Sequence, residues 1–179
     1  MSRASITFLE AIKDAEILLA HFDSINAKPP PPHAEVLKRA SLIMALTAWE
    51  TYVEDRAAEA LEERLKALAG SPFAALVQKK FSEDLKKLHN PNSTKTCNLF
   101  ADYVGIDVAQ HWAWSNMDGK MVRQRLDGLL AKRGDAVHRS RVIEGHEAHL
   151  IRREELEKGI RFLKTLVEKT ELAFTPTSS

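Results

Sequence analysis

The 179 residues are 44% hydrophobic and 28% charged, the balance of one globular domain with room for a core. With 26 basic residues against 25 acidic ones, the net charge of +1 excludes a global electrostatic drive toward nucleic acid, and the lone Cys97 excludes an internal disulfide. Residues 1–13 hold no signal-peptide core, and the longest apolar stretch, at 42–49, is far short of the roughly 20 residues that span a bilayer, so a soluble, cytoplasmic protein with no membrane partner is expected.

Leu9, Ile12, Glu16, Leu19 and Phe22 outline a first amphipathic helix, which must end before Pro29-Pro30-Pro31-Pro32 because proline cannot continue it. That run reads as a stiff linker between helices, since too little chain precedes it to fold alone. A long second helix is predicted over 33–69, stopping at Gly70. Ser71 and Pro72 then supply an N-cap and a first-turn proline for a third helix to about 89. Residues 90–94 read as a loop, and 98–117, with Trp112 and Trp114, suit short helices and connections. A further helix is predicted over 118–133, continuing through 139 with a loosening at Gly134. The last, over 148–172, carries Leu156, Ile160, Leu163 and Val167 on one face. No segment alternates as a strand. The expected fold is all-α, a helical bundle of about four to six helices forming one domain over 1–174, with a disordered tail at 175–179.

Two charges interrupt the apolar stripes. In the fifth predicted segment Val122, Leu126, Leu129 and Val137 recur at helical spacing, and Arg133 stands among them. In the second helix Ile43, Leu46, Val53, Ala57 and Leu61 form the inner series, with Glu50 where a leucine is expected. A guanidinium or a carboxylate in an apolar stripe is costly unless paired, so a Glu50–Arg133 ion pair is expected. The bland alternative is a pair that only sets helix register. Around Arg133, residues 118–141 hold seven basic side chains against three acidic ones, a local +4 in a nearly neutral chain. Five residues beyond Arg133 lies His138, able to exchange a proton near neutral pH. In a continuous helix the two are about 140° apart. Either Gly134 breaks the helix and folds them together, or they line two sides of a groove that a second copy of the chain completes.

The string Arg133 to His138, an R-x4-H motif late in a helical chain, resembles the signature of the HEPN superfamily (higher eukaryotes and prokaryotes nucleotide-binding). Ala48-Trp49-Glu50-Thr51-Tyr52-Val53 resembles the E-x-Y feature of its RiboL-PSP-HEPN-like branch, as, more weakly, does Asn98-Leu99-Phe100. The likeness spans about residues 5–170. It implies a metal-independent endoribonuclease, a toxin or defence enzyme without a cofactor. Such an enzyme works as a homodimer whose two R-x4-H motifs face a shared cleft and cleaves RNA through 2′-OH attack. His138 would be the general acid or base and Arg133 would bind the scissile phosphate. Glu50 and Asp135 would support them, and Lys132, Arg139 and Arg141 would hold the RNA backbone. Many members place Asn, Asp or His directly after the arginine; here Gly134 stands there, which implies either that Asp135 takes the polar role one position later or that the site is weakened. A cognate antitoxin or a nucleotidyltransferase is the kind of partner such a toxin is encoded beside.

The competing reading is a catalytically inactive helical module that binds nucleotide, RNA or a protein partner through the same basic patch. A metal site on His138, His146 and His149 is disfavoured, because no CxxC or H-E-x-x-H spacing accompanies them.

Overall fold

The computed structural model describes residues 1–25, 31, 34–138 and 151–175; of Asp135, Val137 and His138 it describes the backbone alone. Six α-helices account for most of these residues: α1 (Arg3–Ile25), α2 (Ala34–Leu65), α3 (Pro72–Leu85), α4 (Ser93–Val104), α5 (Gly119–His138) and α6 (Arg153–Leu172). The fold is an all-α bundle. None of these helices is long and apolar enough to cross a membrane.

Helix α1 buries Phe8, Ile12, Ala15, Leu19 and Phe22, a helical series that closes onto α2. The two run antiparallel. Ser41 Oγ donates to the Ala15 carbonyl at 2.7 Å near one end, and the Ala4 amide donates to Glu59 Oε1 at 3.0 Å near the other. Helix α2 is the spine, touched by α1, α4, α5 and α6, and so it is buried on more than one face. Leu46, Val53, Ala57 and Leu61 of the expected series are buried, whereas Ile43 is half-buried. The deepest side chains also include Trp49 and Tyr52, which moves the centre of burial and leaves Glu50 at its edge.

Helix α2 ends at Leu65 and a short 3-10 turn, Lys66–Leu68, carries the chain to Gly70. Ser71 accepts the Ala74 amide at 3.1 Å and Pro72 opens α3, as the sequence predicts. This helix stops at Leu85 rather than 89, because Leu88 turns inward and Asn90 takes φ +51° ahead of Pro91. The expected loop at 90–94 is shorter than predicted. Asn92 accepts the Lys95 amide at 2.9 Å, and this N-cap starts α4 at Ser93. At its other end Gly105, in left-handed conformation at φ +69°, closes α4 with its amide on the Ala101 carbonyl.

Residues 98–117 hold the rest of α4, a 3-10 turn at Val108–His111, and a tight reversal in which Trp114 and Met117 exchange backbone hydrogen bonds. Trp112 is fully buried, with its indole nitrogen donating to Thr170 Oγ1 at 3.0 Å and its ring edge-on to Trp49. Helix α5 is continuous through Gly134 to His138, so the expected loosening is absent. Its buried line is Val122, Leu126, Leu129 and Leu130, then Ala136. Helix α6 starts at Arg153, later than the predicted 148; residues 148–150 lie outside the described part. Its Leu156, Ile160, Leu163 and Val167 are all buried, and Gly159 admits Leu129 of α5, where a Cβ would stand 3.2 Å from Leu129 Cδ2.

Candidate functional site

Where α2, α5 and the α3–α4 turn meet, four side chains close a polar cluster at the margin of the core. Arg133 Nη1 donates to Glu50 Oε2 at 2.8 Å and also to Asn90 Oδ1, while Nη2 reaches Thr47 Oγ1 at 3.4 Å. Glu50 uses its other oxygen to accept the Asn90 amide at 2.9 Å. Glu50, Asn90 and Arg133 therefore form a closed ring of hydrogen bonds. The expected ion pair is present, with the Arg133 and Glu50 side chains 18% and 17% exposed. Thr47 precedes Glu50 by three residues, which places both on one face of α2 opposite the arginine.

The cluster spends the guanidinium unevenly. Both Nη1 hydrogens are engaged, and Thr47 takes one of the two on Nη2. Among the described residues, Nε–H and the second Nη2–H have no acceptor. A guanidinium N–H without a protein acceptor is a donor that a phosphate or carboxylate oxygen can use. Glu50 thus balances the arginine's charge and fixes its orientation while part of the guanidinium's donor capacity stays unused among the described residues.

The α3–α4 turn is pinned from several directions. The Pro91 carbonyl accepts the Trp49 indole N–H at 3.0 Å and the Thr96 hydroxyl at 3.2 Å. Asp127 of α5 accepts the Ser93 amide at 2.8 Å and its hydroxyl at 2.9 Å. Lys95 Nζ donates to the His89 carbonyl at 2.6 Å. A left-handed asparagine is conformationally costly, and this one persists because its amide and its side chain are both used. Beside the cluster, burial pushes the Glu54 carboxyl above its usual range, as do the Glu50 and Asp55 charges, while His89 pulls it down.

Among the other expected site residues, Lys132 pairs with Glu155 of α6, so its ammonium is directed toward the α5–α6 seam. Asp135 and His138 belong to α5 by their backbone, and His138 is its last residue. Because the helix is unbroken, His138 lies about 7.5 Å further along the axis and about 140° round from Arg133. The arrangement that folds both onto one face through a break at Gly134 does not occur. Arg139, Arg141, His146 and His149 lie outside the described residues. Within the described part, no three His, Cys, Asp or Glu side chains converge as metal ligands.

Sequence reasoning missed Asn90 and Thr47. The Asn-Pro dipeptide signals a turn, but nothing in the sequence ties that turn to an arginine 43 residues later. It also missed a second buried ion pair. Glu171 Oε1 accepts from Arg56 Nε at 2.9 Å, Tyr52 Oη at 2.8 Å and Ser2 Oγ at 3.0 Å, and the Arg56 guanidinium stacks 3.5 Å over Phe174.

Compared with known proteins, the chain matches the sequence model of the RiboL-PSP-HEPN family over residues 9–175. No curated protein and no solved structure matches it.

Proposed function

Since the chain belongs to the RiboL-PSP-HEPN family, whose domains point to a nucleotide- or RNA-related role, we propose that it is a metal-independent endoribonuclease. The observation that carries this reading is the state of Arg133. Three neighbours hold it in one orientation, yet among the described residues Nε–H and one Nη2–H have no acceptor. It stands five residues before the only histidine of α5. A fixed cation and an imidazole that exchanges protons near neutral pH are what phosphodiester cleavage by a neighbouring hydroxyl needs.

In the proposed reaction a base removes the proton of the ribose 2′-OH and the oxygen attacks phosphorus. The bond from phosphorus to the 5′-oxygen breaks, an acid protonates that leaving oxygen, and a 2′,3′-cyclic phosphate remains. Arg133 binds the non-bridging oxygens and offsets the charge that grows on them. Acid and base act on opposite sides of phosphorus, so two proton-handling groups are required. With Arg133 and His138 well apart around one helix, a homodimer supplies both, His138 in one protomer and its counterpart in the other. Asp135 is assigned to support and Arg139 and Arg141 to RNA contact in the same cleft, whereas Lys132 would have to leave Glu155 to join them. In the cell the protein is read as a cytoplasmic toxin or defence nuclease, silenced by a cognate antitoxin or nucleotidyltransferase.

The test is incubation of purified protein with structured and single-stranded RNAs in EDTA. Cleavage that leaves cyclic phosphate ends supports the reading. An intact panel overturns it in favour of a helical binding module.

A further inference from the structure

The α3–α4 turn carries a charge that the function proposed above does not use. Residues 79–95 hold five lysines against two acids, a local +3. Lys86, Lys87, His89 and Lys95 are exposed, and among the described residues none of these three lysines makes an ion pair. Exposed Glu83, one turn before Lys86 and Lys87, makes no ion pair among the described residues, and the other nearby acids are already occupied or disfavoured as anions. Asp84 is held by Lys80 and Tyr103, Glu50 by Arg133, and Glu54 has its carboxyl raised by burial. The turn that displays these lysines is tied down by hydrogen bonds. It is latched to Arg133 and Glu50 through Asn90, to Trp49 through Pro91 and to Asp127 through Ser93.

We infer that this turn is a second binding wall for RNA, on which Lys86, Lys87 and Lys95 hold backbone phosphates next to the one on Arg133. The inference rests on the ribonuclease reading and adds to it the path of the substrate. Leu88 is buried, so the exposed surface offers cations without the apolar or aromatic anchor around which protein–protein hot spots are built. Phosphate binding through lysine point charges needs no such anchor. Asn90 connects the two parts, because the residue that positions the arginine also fixes the lysine-bearing turn.

The experiment uses fluorescence anisotropy with a short, mixed-sequence, single-stranded RNA and the full chain carrying His138→Ala, so that the RNA stays intact. Adding Lys86→Glu and Lys87→Glu should weaken binding at least about tenfold at roughly 0.1 M salt. The log–log salt dependence should become shallower by about 1 to 1.5, at ~0.7 per phosphate contact. The neutral pair Lys86→Gln and Lys87→Gln should show the same effect to a smaller degree. Lys66→Glu, at the far end of α2, should change neither. Equal affinity and slope in parent and both lysine pairs would overturn the inference and leave the ribonuclease reading standing. A parent that binds no RNA would remove that reading, and the inference with it.

Discussion

Arg133 and Glu50 are 83 residues apart in the chain and 2.8 Å apart in the fold, joined across α5 and α2 at the edge of the core. The pair is only about one-sixth exposed on either side, so water screens it weakly. Removing the acid leaves a cation with Asn90 and Thr47 as its remaining partners. Glu50→Ala should therefore destabilise the protein by roughly 2–4 kcal/mol, somewhat less than the ~3–5 kcal/mol for breaking a fully buried pair. Thermal unfolding should show a Tm lower by roughly 5–15 °C. Changing both residues to Met should restore much of the loss, since neither charge is then left alone. A Glu50→Ala variant that melts like the wild type would show that the pair contributes no stability.

Asn90 separates conformation from hydrogen bonding. Its φ of +51° is tolerated by glycine but costs other residues roughly 1–2 kcal/mol. Asn90→Gly loses the acceptor for Arg133 and keeps the turn, whereas Asn90→Ala loses both. Denaturant titration should find the alanine variant less stable than the glycine variant by about 1 kcal/mol. Equal stability would mean that the backbone conformation relaxes without cost.

His138→Ala should leave circular dichroism and Tm near those of the wild type, because His138 is the terminal residue of α5 and exchanging it removes no interior helical turn. Cleavage of RNA in EDTA should fall by at least the ~10²–10⁴-fold typical of a general acid or base. Arg133→Ala should lose activity and stability together. Light scattering of the wild type at micromolar concentration should give about twice the 20.1 kDa chain mass. A monomer would remove the second proton-handling group from the mechanism.

The two tyrosines offer an independent check on the packing. Burial, then the hydrogen bond to Asp84, pushes the Tyr103 phenol up to about 12; burial, then the Glu171 charge, raises Tyr52 well above its usual 10.0. Both folded-state values exceed those of the unfolded chain. Their contribution to stability is therefore complete below pH 10 and is lost as pH rises, for Tyr103 through about 12. Absorbance at the phenolate band should show little ionisation at pH 10 in the folded protein and about half in denaturant. Asp84→Asn should shift the Tyr103 part of the curve downward. Half-ionisation at pH 10 without denaturant would contradict the burial of Tyr52 and the hydrogen bond of Tyr103 to Asp84.

The helices were legible because their signals are local. Apolar spacing marks α1 and α6, and Ser71 and Pro72 open α3, each readable within one or two turns; the expected proline linker at 29–32 lies largely outside the described residues. The boundary errors have two causes, one tertiary and one local. Leu88 drawn inward ends α3 early, and Asn92 capping Lys95 starts α4 inside an expected loop.

For the site, the sequence by itself determined that two opposite charges interrupt apolar stripes and must meet, because an unpaired charge in a core is too costly to keep. It did not determine the rest of the ring. Asn90 and Thr47 are polar residues of ordinary frequency on a turn and a helix, and neither violates any pattern that a reader of the sequence could detect. Arg56 escaped for a related reason: it lies off the stripe through Glu50, and only the packing of α6 and Phe174 against α2 buries it. Periodicity measures one face of one helix at a time. Which polar groups share a cluster depends on how α2, α5 and the α3–α4 turn pack together, and that packing also settled that α5 runs on through Gly134 and keeps Arg133 and His138 apart around the helix.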